Sequence, residues 1–359
     1  MRILSIIILS AIALSAIGSV SATLLPAAQM QEESKSQDKS PIIRLDAALD
    51  AIVPFGAKVE KLAGGFGFLE GPVWIREAGK KEGHLVFSDI PRNVIHKWDP
   101  SDGKVSVLVE RSGFTGSDPT GVGRQQTNGE EVFYNLGSNG IAMDPQGRLV
   151  VSAMGDRRIV RLEEDGRRTV LASHYQGRRL NSTNDLVYKS NGSLYFTDPP
   201  SGLRNGDTDP KKELPYNGVF LLKDGELVLL TRDVVYPNGL AFSPDEKYLY
   251  VAGIRTRTIM RFDVQPDDTL ANGRVFVDMS PDKAIGNPDG MKVDQQGNVY
   301  CSGAGGIWVI SPQGKHLGTL VFPERSANMV FGDADGKSLY VTARAGLYRI
   351  RLKIPGIRP

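Results

Sequence analysis

The sequence predicts an all-β protein, a six-bladed β-propeller that spans residues 59–355. One phrase recurs six times: a polar residue, a short apolar strand, a turn, and a second strand. Successive phrases begin 39 to 69 residues apart, which matches one four-stranded blade for each phrase. After Gly64 no window shows a convincing 3.6-residue apolar period of a helix. We therefore expect six blades that close into one ring.

Each phrase carries the signals of a strand, a hairpin and a second strand. Apolar residues alternate, as in Leu240/Phe242 and Leu249/Val251, and the turn contains Asp, Asn, Gly or Pro. The six phrases are EGPVWI with GHLVFSD from Glu70, NGIAMDPQGRLVVSA from Asn139, NDLVYKSNGSLYFTD from Asn184, NGLAFSPDEKYLYVA from Asn238, DGMKVDQQGNVYCS from Asp289, and NMVFGDADGKSLYVTA from Asn328. Further strand pairs follow and complete the blades.

The chain begins with the layout of a secretory signal peptide at 1–22. Arg2 precedes an apolar stretch, and small residues then lead to Ala22. An uncleaved anchor is the alternative, although the apolar run is shorter than the roughly 20 residues that a membrane span needs. Residues 23–44 are expected to be a polar linker, and 45–58 an N-terminal segment with room for a short helix. The folded part is therefore expected to be exported, either to the periplasm or to the medium.

The charge balance excludes two classes of partner. The chain has 43 Lys and Arg against 41 Asp and Glu, a net charge of +2, and no run of five or more basic residues. We therefore expect no nucleic-acid partner, and no membrane contact beyond export.

Cys301 is the only cysteine, so no intramolecular disulfide can form. The expected partner is a small molecule, and the expected assembly is a monomer or a small homo-oligomer.

The first residue of each phrase is the main signal for a functional site. The innermost strand of every propeller blade lines the central channel, so equivalent strand starts meet at one mouth. This register brings together four side-chain oxygen donors, those of Glu70, Asn184, Asn238 and Asp289. Two carboxylates and two amides favour a divalent metal, Ca²⁺ first, with Mg²⁺, Mn²⁺ and Zn²⁺ as alternatives. Zinc fits less well, because the four histidines and Cys301 lie outside the repeated position.

These residues also have a plainer interpretation. Asn-Gly at 139 and 238 and Asp-Gly at 289 are common turn signals. Glu70 is harder to explain without a ligand, since an acid within FGFLEGPVW is costly to bury unless it is paired or bound to a cation. The metal-site hypothesis therefore depends on the combination of the four residues in one register.

Three more residues are candidates for binding a substrate. Asn139 and Asn328 head the second and sixth phrases, so they should face the same mouth, with turn formation as the alternative. Arg179 lies before Asn184, where it could bind a substrate oxygen or a product carboxylate, with a solvated surface role as the alternative. Strand alternation points Asp185 away from the channel unless its strand starts later, so we expect a structural or supporting role for it.

Several stretches together carry a family resemblance. They are LEGPVW around Glu70, GRRLNSTNDLVYKSNGSLYFTDPPSGL at 177–203, YPNGLAFSPD around Asn238, and NPDGMKVD around Asp289. With these stretches the chain resembles the SMP-30/gluconolactonase/luciferin-regenerating-enzyme-like propellers, and bacterial gluconolactonases most closely. Thr183 stands where the family string RLNSPND has Pro, and Met154 stands where a His is common. These departures affect the substrate preference rather than the metal set.

The resemblance implies an activity and a set of metal ligands. The activity is hydrolysis of a sugar lactone to an aldonic acid. The ligands of a calcium-type metal would be a Glu in the first blade, an Asn in each of the third and fourth, and an Asp in the fifth, which correspond to Glu70, Asn184, Asn238 and Asp289.

The residues are consistent with attack by water on a carbonyl that the metal polarises. Asp289 is the expected general base, because a carboxylate beside the metal can accept the proton of that water. No G-x-S-x-G elbow occurs and Cys301 lies in an ordinary strand, so no covalent intermediate is expected. Two alternatives stay open: a metal-dependent phosphotriesterase on the same fold, and a propeller that binds a ligand without catalysis.

Overall fold

The computed structural model of the chain describes residues 41–76, 83–127 and 132–357. The predicted signal peptide and residues 23–40 of the predicted linker lie outside these ranges. Within the described ranges, no helix is long and apolar enough to span a membrane.

Three short elements precede the first blade. They are strand β1 (Ile42–Arg44), the 3-10 helix Ala47–Ala51, and strand β2 (Glu60–Gly64). The side chain of Asp46 caps the helix by accepting a hydrogen bond from the backbone N–H of Ala48 at 2.8 Å. Although β1 falls in the segment predicted as a linker, it pairs with the outer strand of a blade.

The first three blades each contain four antiparallel strands in sequence order. Blade one consists of β3 (Leu69–Arg76), β4 (Gly83–Asp89), β5 (Val94–Trp98) and β6 (Val105–Glu110). A hairpin of β7 (Gln125–Thr127) and β8 (Val132–Tyr134) follows. Blade two consists of β9 (Ser138–Met143), β10 (Leu149–Ala153), β11 (Arg158–Leu162) and β12 (Arg168–Ala172). A second hairpin joins β13 (His174–Tyr175) to β14 (Arg178–Arg179).

Blade three consists of β15 (Leu186–Tyr188), β16 (Leu194–Asp198), β17 (Gly218–Lys223) and β18 (Glu226–Thr231), with a 3-10 turn at Gly206–Thr208. Blade four consists of β19 (Pro237–Phe242), β20 (Tyr248–Gly253), β21 (Thr258–Val264) and β22 (Leu270–Asp278). Blade five consists of β23 (Met291–Val293), β24 (Val299–Gly303), β25 (Gly306–Ile310) and β26 (His316–Leu320), with β1 as a fifth strand.

The last blade closes the ring. It consists of β27 (Ser326–Gly332), β28 (Ser338–Ala343) and β29 (Gly346–Arg351), and β2 from the start of the chain supplies its outer strand. The inner strands contact one another in the order β3, β9, β15, β19, β23, β27 and back to β3. This ring confirms the six-bladed propeller. Because every inner strand runs in the same direction along the axis, the six strand starts lie at one mouth of the channel.

In the described part of the chain, a hydrophobic core fills each of the six gaps between neighbouring blades. Between the first and last blades, the indole of Trp74 stacks on the ring of Tyr340 with centroids 5.0 Å apart. A Cβ on Gly332 would lie 2.7 Å from that indole, so only glycine fits there. Packing between blades therefore fixes the positions of the inner strands that form the mouth.

Candidate active site

The polar residues at the starts of the inner strands lie at β-bulges. The pairing of β3 with β4 shifts register between Glu70 and Val73, and that of β19 with β20 shifts between Pro237 and Leu240. The pairing of β27 with β28 has the same irregularity just before Asn328. A bulge leaves a residue out of the regular ladder and changes the direction of its side chain. Strict alternation therefore does not decide which side chains face the channel here.

Close packing of the inner strands explains the glycine that follows the polar residue in four of the six phrases. A Cβ on Gly71 would lie 2.1 Å from the carbonyl oxygen of Asn139, and a Cβ on Gly239 would lie 2.2 Å from that of Asp289. Only glycine allows the backbones to approach this closely. Asn139 and Asn238 lie inside β9 and β19, so the turn interpretation of these Asn-Gly pairs was wrong.

Three carboxyl groups, here called the mouth acids, lie together at this end of the channel: Glu70, Asp185 and Asp289. Glu70 is 4% exposed, and its Oε2 accepts hydrogen bonds from the N–H of Gly71 at 3.0 Å and from Nδ2 of Asn328 at 3.1 Å. The same Nδ2 donates to Oδ2 of Asp185 at 3.3 Å. Asn328 in blade six therefore links acids from blades one and three.

The mouth acids raise one another's pKa. Burial raises the pKa of Glu70 well above its usual value, and the charges of Asp289 and Asp185 raise it further. Burial also raises the pKa of Asp289, with Asp185 adding to the effect and Arg325 opposing it. The pKa of Asp185 is raised by burial and is lowered in part by Lys292. Three acids thus share a low-dielectric site in which no Lys or Arg of the described ranges forms a salt bridge with them.

Two asparagines at the same mouth have unused acceptors. Oδ1 of Asn184 and Oδ1 of Asn139 are buried and have no hydrogen-bond partner in the described part of the chain. Such an oxygen costs about 1–3 kcal/mol unless something binds it. The side chain of Asn238 lowers the pKa of the Asp289 carboxyl, so the two side chains lie close together at the mouth.

These residues fit a hard divalent cation. Among the described residues, no three His, Cys, Asp or Glu side chains form a metal site on their own, so a cation here requires amide oxygens. The buried, unsatisfied Oδ1 of Asn184 is such an oxygen, and the carboxylates of Glu70 and Asp289 would supply the charge. Oxygen-only ligands and several carboxylates are what Ca²⁺ prefers.

Comparison with known proteins identifies the family of the chain. A profile of the SMP-30/Gluconolactonase/LRE-like region matches residues 68–345. The chain belongs to this family. A gluconolactonase of Zymomonas mobilis is 34% identical and covers 97% of this chain and 97% of its own length. The pentonolactonase XacC of Haloferax volcanii is 27% identical over 77% of this chain and 81% of its own length.

A solved gluconolactonase structure from Xanthomonas campestris superposes with a TM-score of 0.72. It is 32% identical and covers 88% of this chain and 96% of its own. The family profile and the superposed structure therefore both confirm the SMP-30/gluconolactonase-like fold that the sequence predicts.

Asp185 lies among the mouth acids, the case that the sequence analysis made conditional on a later start of its strand. It was expected to point away from the channel, yet it accepts from Asn328 and raises the pKa of Glu70. The reason is that β15 begins only at Leu186, so Asp185 precedes the regular ladder. The condition under which it would face the channel, a later strand start, is met.

The structure places the other two predicted substrate-binding residues apart, Asn328 among the mouth acids and Arg179 in a hairpin. Nδ2 of Asn328 donates to two mouth acids, and its Oδ1 accepts from the N–H of Met329 at 2.8 Å. Asn328 therefore positions two of the mouth acids, and the N–H of Met329 occupies one of the two acceptor sites of its Oδ1. Arg179 lies in the β13–β14 hairpin, where its Nη2 donates to the carbonyl of Asp156 at 3.0 Å. None of its hydrogen bonds within the described ranges reaches the mouth acids.

Hydroxyl groups of the second strands hold the site from behind, and the sequence analysis missed them. Oγ of Ser88 donates to the carbonyl of Asn139 at 2.9 Å, and Oγ1 of Thr197 donates to that of Asn238 at 2.8 Å. The repeated Ser or Thr near the end of the second strand, in FSD, VVSA, FTD, CSG and VTA, is the signal that could have revealed them.

Proposed function

We propose that this protein is a lactonase that hydrolyses a sugar lactone to an aldonic acid, with a divalent cation bound at the mouth. The chain's own ligands for that cation would be Glu70, Asn184, Asn238 and Asp289, and Ca²⁺ is the cation that the oxygen set favours. The gluconolactonase and pentonolactonase relatives support a lactone substrate. The bound metal and the mechanism rest on the geometry of the mouth.

The observation that carries this proposal is a group of buried acids with which no Lys or Arg of the described ranges forms a salt bridge. Glu70 and Asp185 are 4% and 3% exposed, and both have raised pKa values. An unpaired buried charge costs several kcal/mol. A scaffold without a ligand would gain stability from apolar residues at these positions, whereas a cation site requires these acids.

Asp289 is the residue that we assign as general base. It is less buried than the other two mouth acids, so one carboxylate oxygen can reach a water molecule from the channel and accept its proton. Burial and the nearby Asp185 raise its pKa, which makes it a better proton acceptor once it is ionised. When bound, a divalent cation supplies a Lewis acid that stabilises the negative charge developing on the lactone oxygen.

Asn139 is the residue that we assign to substrate recognition at the mouth. Its Oδ1 is buried and unpartnered, so it can accept a hydrogen bond from a sugar hydroxyl. Cys301 is unsuited to nucleophilic attack, because burial raises the pKa of its thiol and its Sγ already donates to the carbonyl of Ser302. We therefore assign the attack on the lactone carbonyl to water, without a covalent intermediate.

Hydrolysis of glucono-1,5-lactone tests this proposal, with the spontaneous rate subtracted. The expected result is enzymatic hydrolysis that EDTA removes and added Ca²⁺ restores, with Mg²⁺, Mn²⁺ and Zn²⁺ compared in parallel. A full rate after removal of metal would overturn the role of the cation. A paraoxon-type ester serves as the second substrate: hydrolysis of that ester alone would favour a phosphotriesterase, and hydrolysis of neither would favour a binding propeller.

We also propose that the enzyme acts outside the cytoplasm, after cleavage of the predicted signal peptide 1–22. The support is the arrangement of Arg2, the apolar stretch and the small residues before Ala22. N-terminal sequencing of the protein from the periplasm and from the medium tests this. Recovery of the intact N-terminus in the cytoplasmic fraction would contradict it.

A further inference from the structure

A cavity of about 160 Å³ lies beside the mouth, between loops of the first three blades. Its walls include Phe114, Asp156, Arg157, Arg179, Leu203 and Lys211. The turn 154–157 follows β10, and Ala153 at the end of β10 pairs with Ser138 at the start of β9. The cavity therefore opens at the same end of the propeller as the mouth acids. We call it the anion pocket, for the reasons that follow.

Three of the side chains that line the anion pocket are cationic: Arg157, Arg179 and Lys211. The acid in the wall, Asp156, is already neutralised, because its Oδ2 lies 2.5 Å from Nη2 of Arg158. Glu213 lies nearby, with Oε1 3.9 Å from Nη1 of Arg157, but its Oε2 is used by the N–H of Arg179. The lining therefore offers more positive than negative charge to a ligand.

Arg157 is the buried member of the three, with 5% of its surface exposed. Its Nε donates to the carbonyls of Leu180 and Asn181 at 2.7 and 2.9 Å, and its Nη1 donates to that of Lys211 at 2.8 Å. Nη2 is buried and has no hydrogen-bond partner among the residues that the structure describes. A buried guanidinium nitrogen without an acceptor is costly, and an anionic ligand in the cavity would satisfy it.

The equivalent arginine of blade four shows what a purely structural role requires. Arg257 follows β20 as Arg157 follows β10, and both have positive φ angles, 55° and 61°. Nη2 of Arg257 donates to the carbonyls of Ala284 and Gly286, so that arginine holds a loop with the nitrogen that Arg157 leaves unpaired, while its own Nε is buried without a partner in the described ranges. Holding loops therefore explains only part of the contacts of Arg157.

The anion pocket is within reach of a substrate bound at the mouth. The guanidinium of Arg157 bonds to the carbonyl of Asn181, three residues before Asn184. Three residues span at most about 11 Å when fully extended. A sugar lactone with its ester at the mouth could therefore place a group from its far end in the pocket.

We propose that the anion pocket binds a negatively charged group, a phosphate, sulfonate or carboxylate, carried by the lactone substrate at the end remote from the ester. This inference rests on the proposed lactonase function and specifies its substrate class. Arg157 and Arg179 supply planar donor pairs that suit such oxyanions, and Lys211 supplies a third charge.

The kinetic test compares 6-phosphoglucono-1,5-lactone with neutral glucono-1,5-lactone. The wild-type enzyme is expected to have a kcat/KM about tenfold higher for the phosphorylated lactone, the effect of one charge-assisted contact. Lys211→Met and Arg179→Gln should each remove most of that preference by raising KM for the charged lactone. Lys247→Met, an exposed lysine on a hairpin turn at the far end of blade four, is the matched control and should keep the preference.

A second readout does not depend on activity. Inorganic phosphate at constant ionic strength is expected to raise the Tm of the wild type and to raise that of Lys211→Met less. An equal shift in both proteins would mean that phosphate binds elsewhere, for example at the mouth, and would overturn the proposal. Arg157→Gln is included after its Tm shows that it folds.

The two proposals fail in different ways. If the wild type hydrolyses both lactones with the same kcat/KM, the anion pocket has no role in substrate choice while the lactonase function stands. If it hydrolyses neither lactone, the lactonase function fails, and the phosphate shift alone then decides whether the pocket binds anions.

Discussion

Two places in this propeller bury carboxylates, and they treat them in opposite ways. Asp268 lies in the turn between β21 and β22 and is fully buried. Lys189 and Lys223 both pair with it, the latter at 2.7 Å, and Asn191 and Ser193 donate to it at 2.9 and 3.0 Å. At the mouth, Glu70 and Asp185 share the amide of Asn328, and no Lys or Arg of the described ranges forms a salt bridge with these two acids or with Asp289.

The pKa of Asp268 and the pKa values of the mouth acids are shifted in opposite directions. Burial alone would raise the pKa of Asp268, but the hydrogen bonds from Lys189, Lys223, Asn191 and Ser193 outweigh it and lower the pKa. The pKa values of Glu70 and Asp185 are raised, because burial is not offset by a comparable cation. A buried acid is stable in the charged form only where the fold supplies positive charge. The mouth acids are therefore the ones that leave room for a cation from solution.

The largest effect is expected from Glu70→Gln, which keeps the size of the side chain and removes a charge from the mouth. We expect kcat/KM on a sugar lactone to fall about 10²–10³-fold, since charge stabilisation by the bound cation weakens. Calorimetric titration with Ca²⁺ should show weaker binding. Unchanged affinity for the cation would show that Glu70 is not a ligand.

The matched control is Asp268→Asn, which removes the charged partner of Lys189 and Lys223. This variant should lose stability rather than activity. Two lysines lose their charged partner, which costs about 3–5 kcal/mol for a fully buried pair. Lys223 is 40% exposed, so solvent screening reduces the expected loss to roughly 2–3 kcal/mol. Denaturant unfolding measures the loss. A large fall in kcat/KM of the folded variant would remove the distinction between the two clusters.

The repeat explains how much of the fold could be predicted from the sequence. The period and the alternation within each phrase were enough to predict six blades, since each blade must bury its faces against its neighbours. The closing strand β2 could not be predicted, because Glu60–Gly64 has no phrase of its own and pairs with β29 only once the ring exists.

The site was predictable where the repeat alone determines position, as for Glu70 and Asn238. It was not predictable where a local irregularity intervenes. Asp185 could not be placed without knowing that β15 starts at Leu186. The anion pocket is built by loops between blades, and Arg157 and Lys211 lie outside the repeated phrase.

Asp185→Asn is expected to have two effects of opposite sign, one on thermal stability and one on affinity for the cation. Removal of one of three interacting acids relieves like-charge repulsion, so the cation-free protein should gain thermal stability. The affinity for the cation should fall about tenfold, as for groups that orient ligands. Calorimetric titration and thermal unfolding in EDTA measure the two. A loss of stability in EDTA would mean that Asp185 acts as Asp268 does, as a structural partner.

The smallest expected effect is the pH dependence of the stability that Asp268 contributes. Its pKa is lowered in the folded state, so its contribution to stability is present above the unfolded pKa of about 3.9 and is lost as the pH falls toward the folded pKa. At pH 3 the carboxyl of Asp268 is largely protonated in the unfolded state. The free energy of unfolding that Asp268 contributes is therefore about 1 kcal/mol smaller than at neutral pH, after allowance for solvent screening. The difference in unfolding free energy between the wild type and Asp268→Asn should therefore be constant from pH 7 to pH 5 and about 1 kcal/mol smaller at pH 3. Chemical unfolding at each pH measures it, and a difference that grows on acidification would contradict the assignment of Asp268 as a charged partner of Lys189 and Lys223.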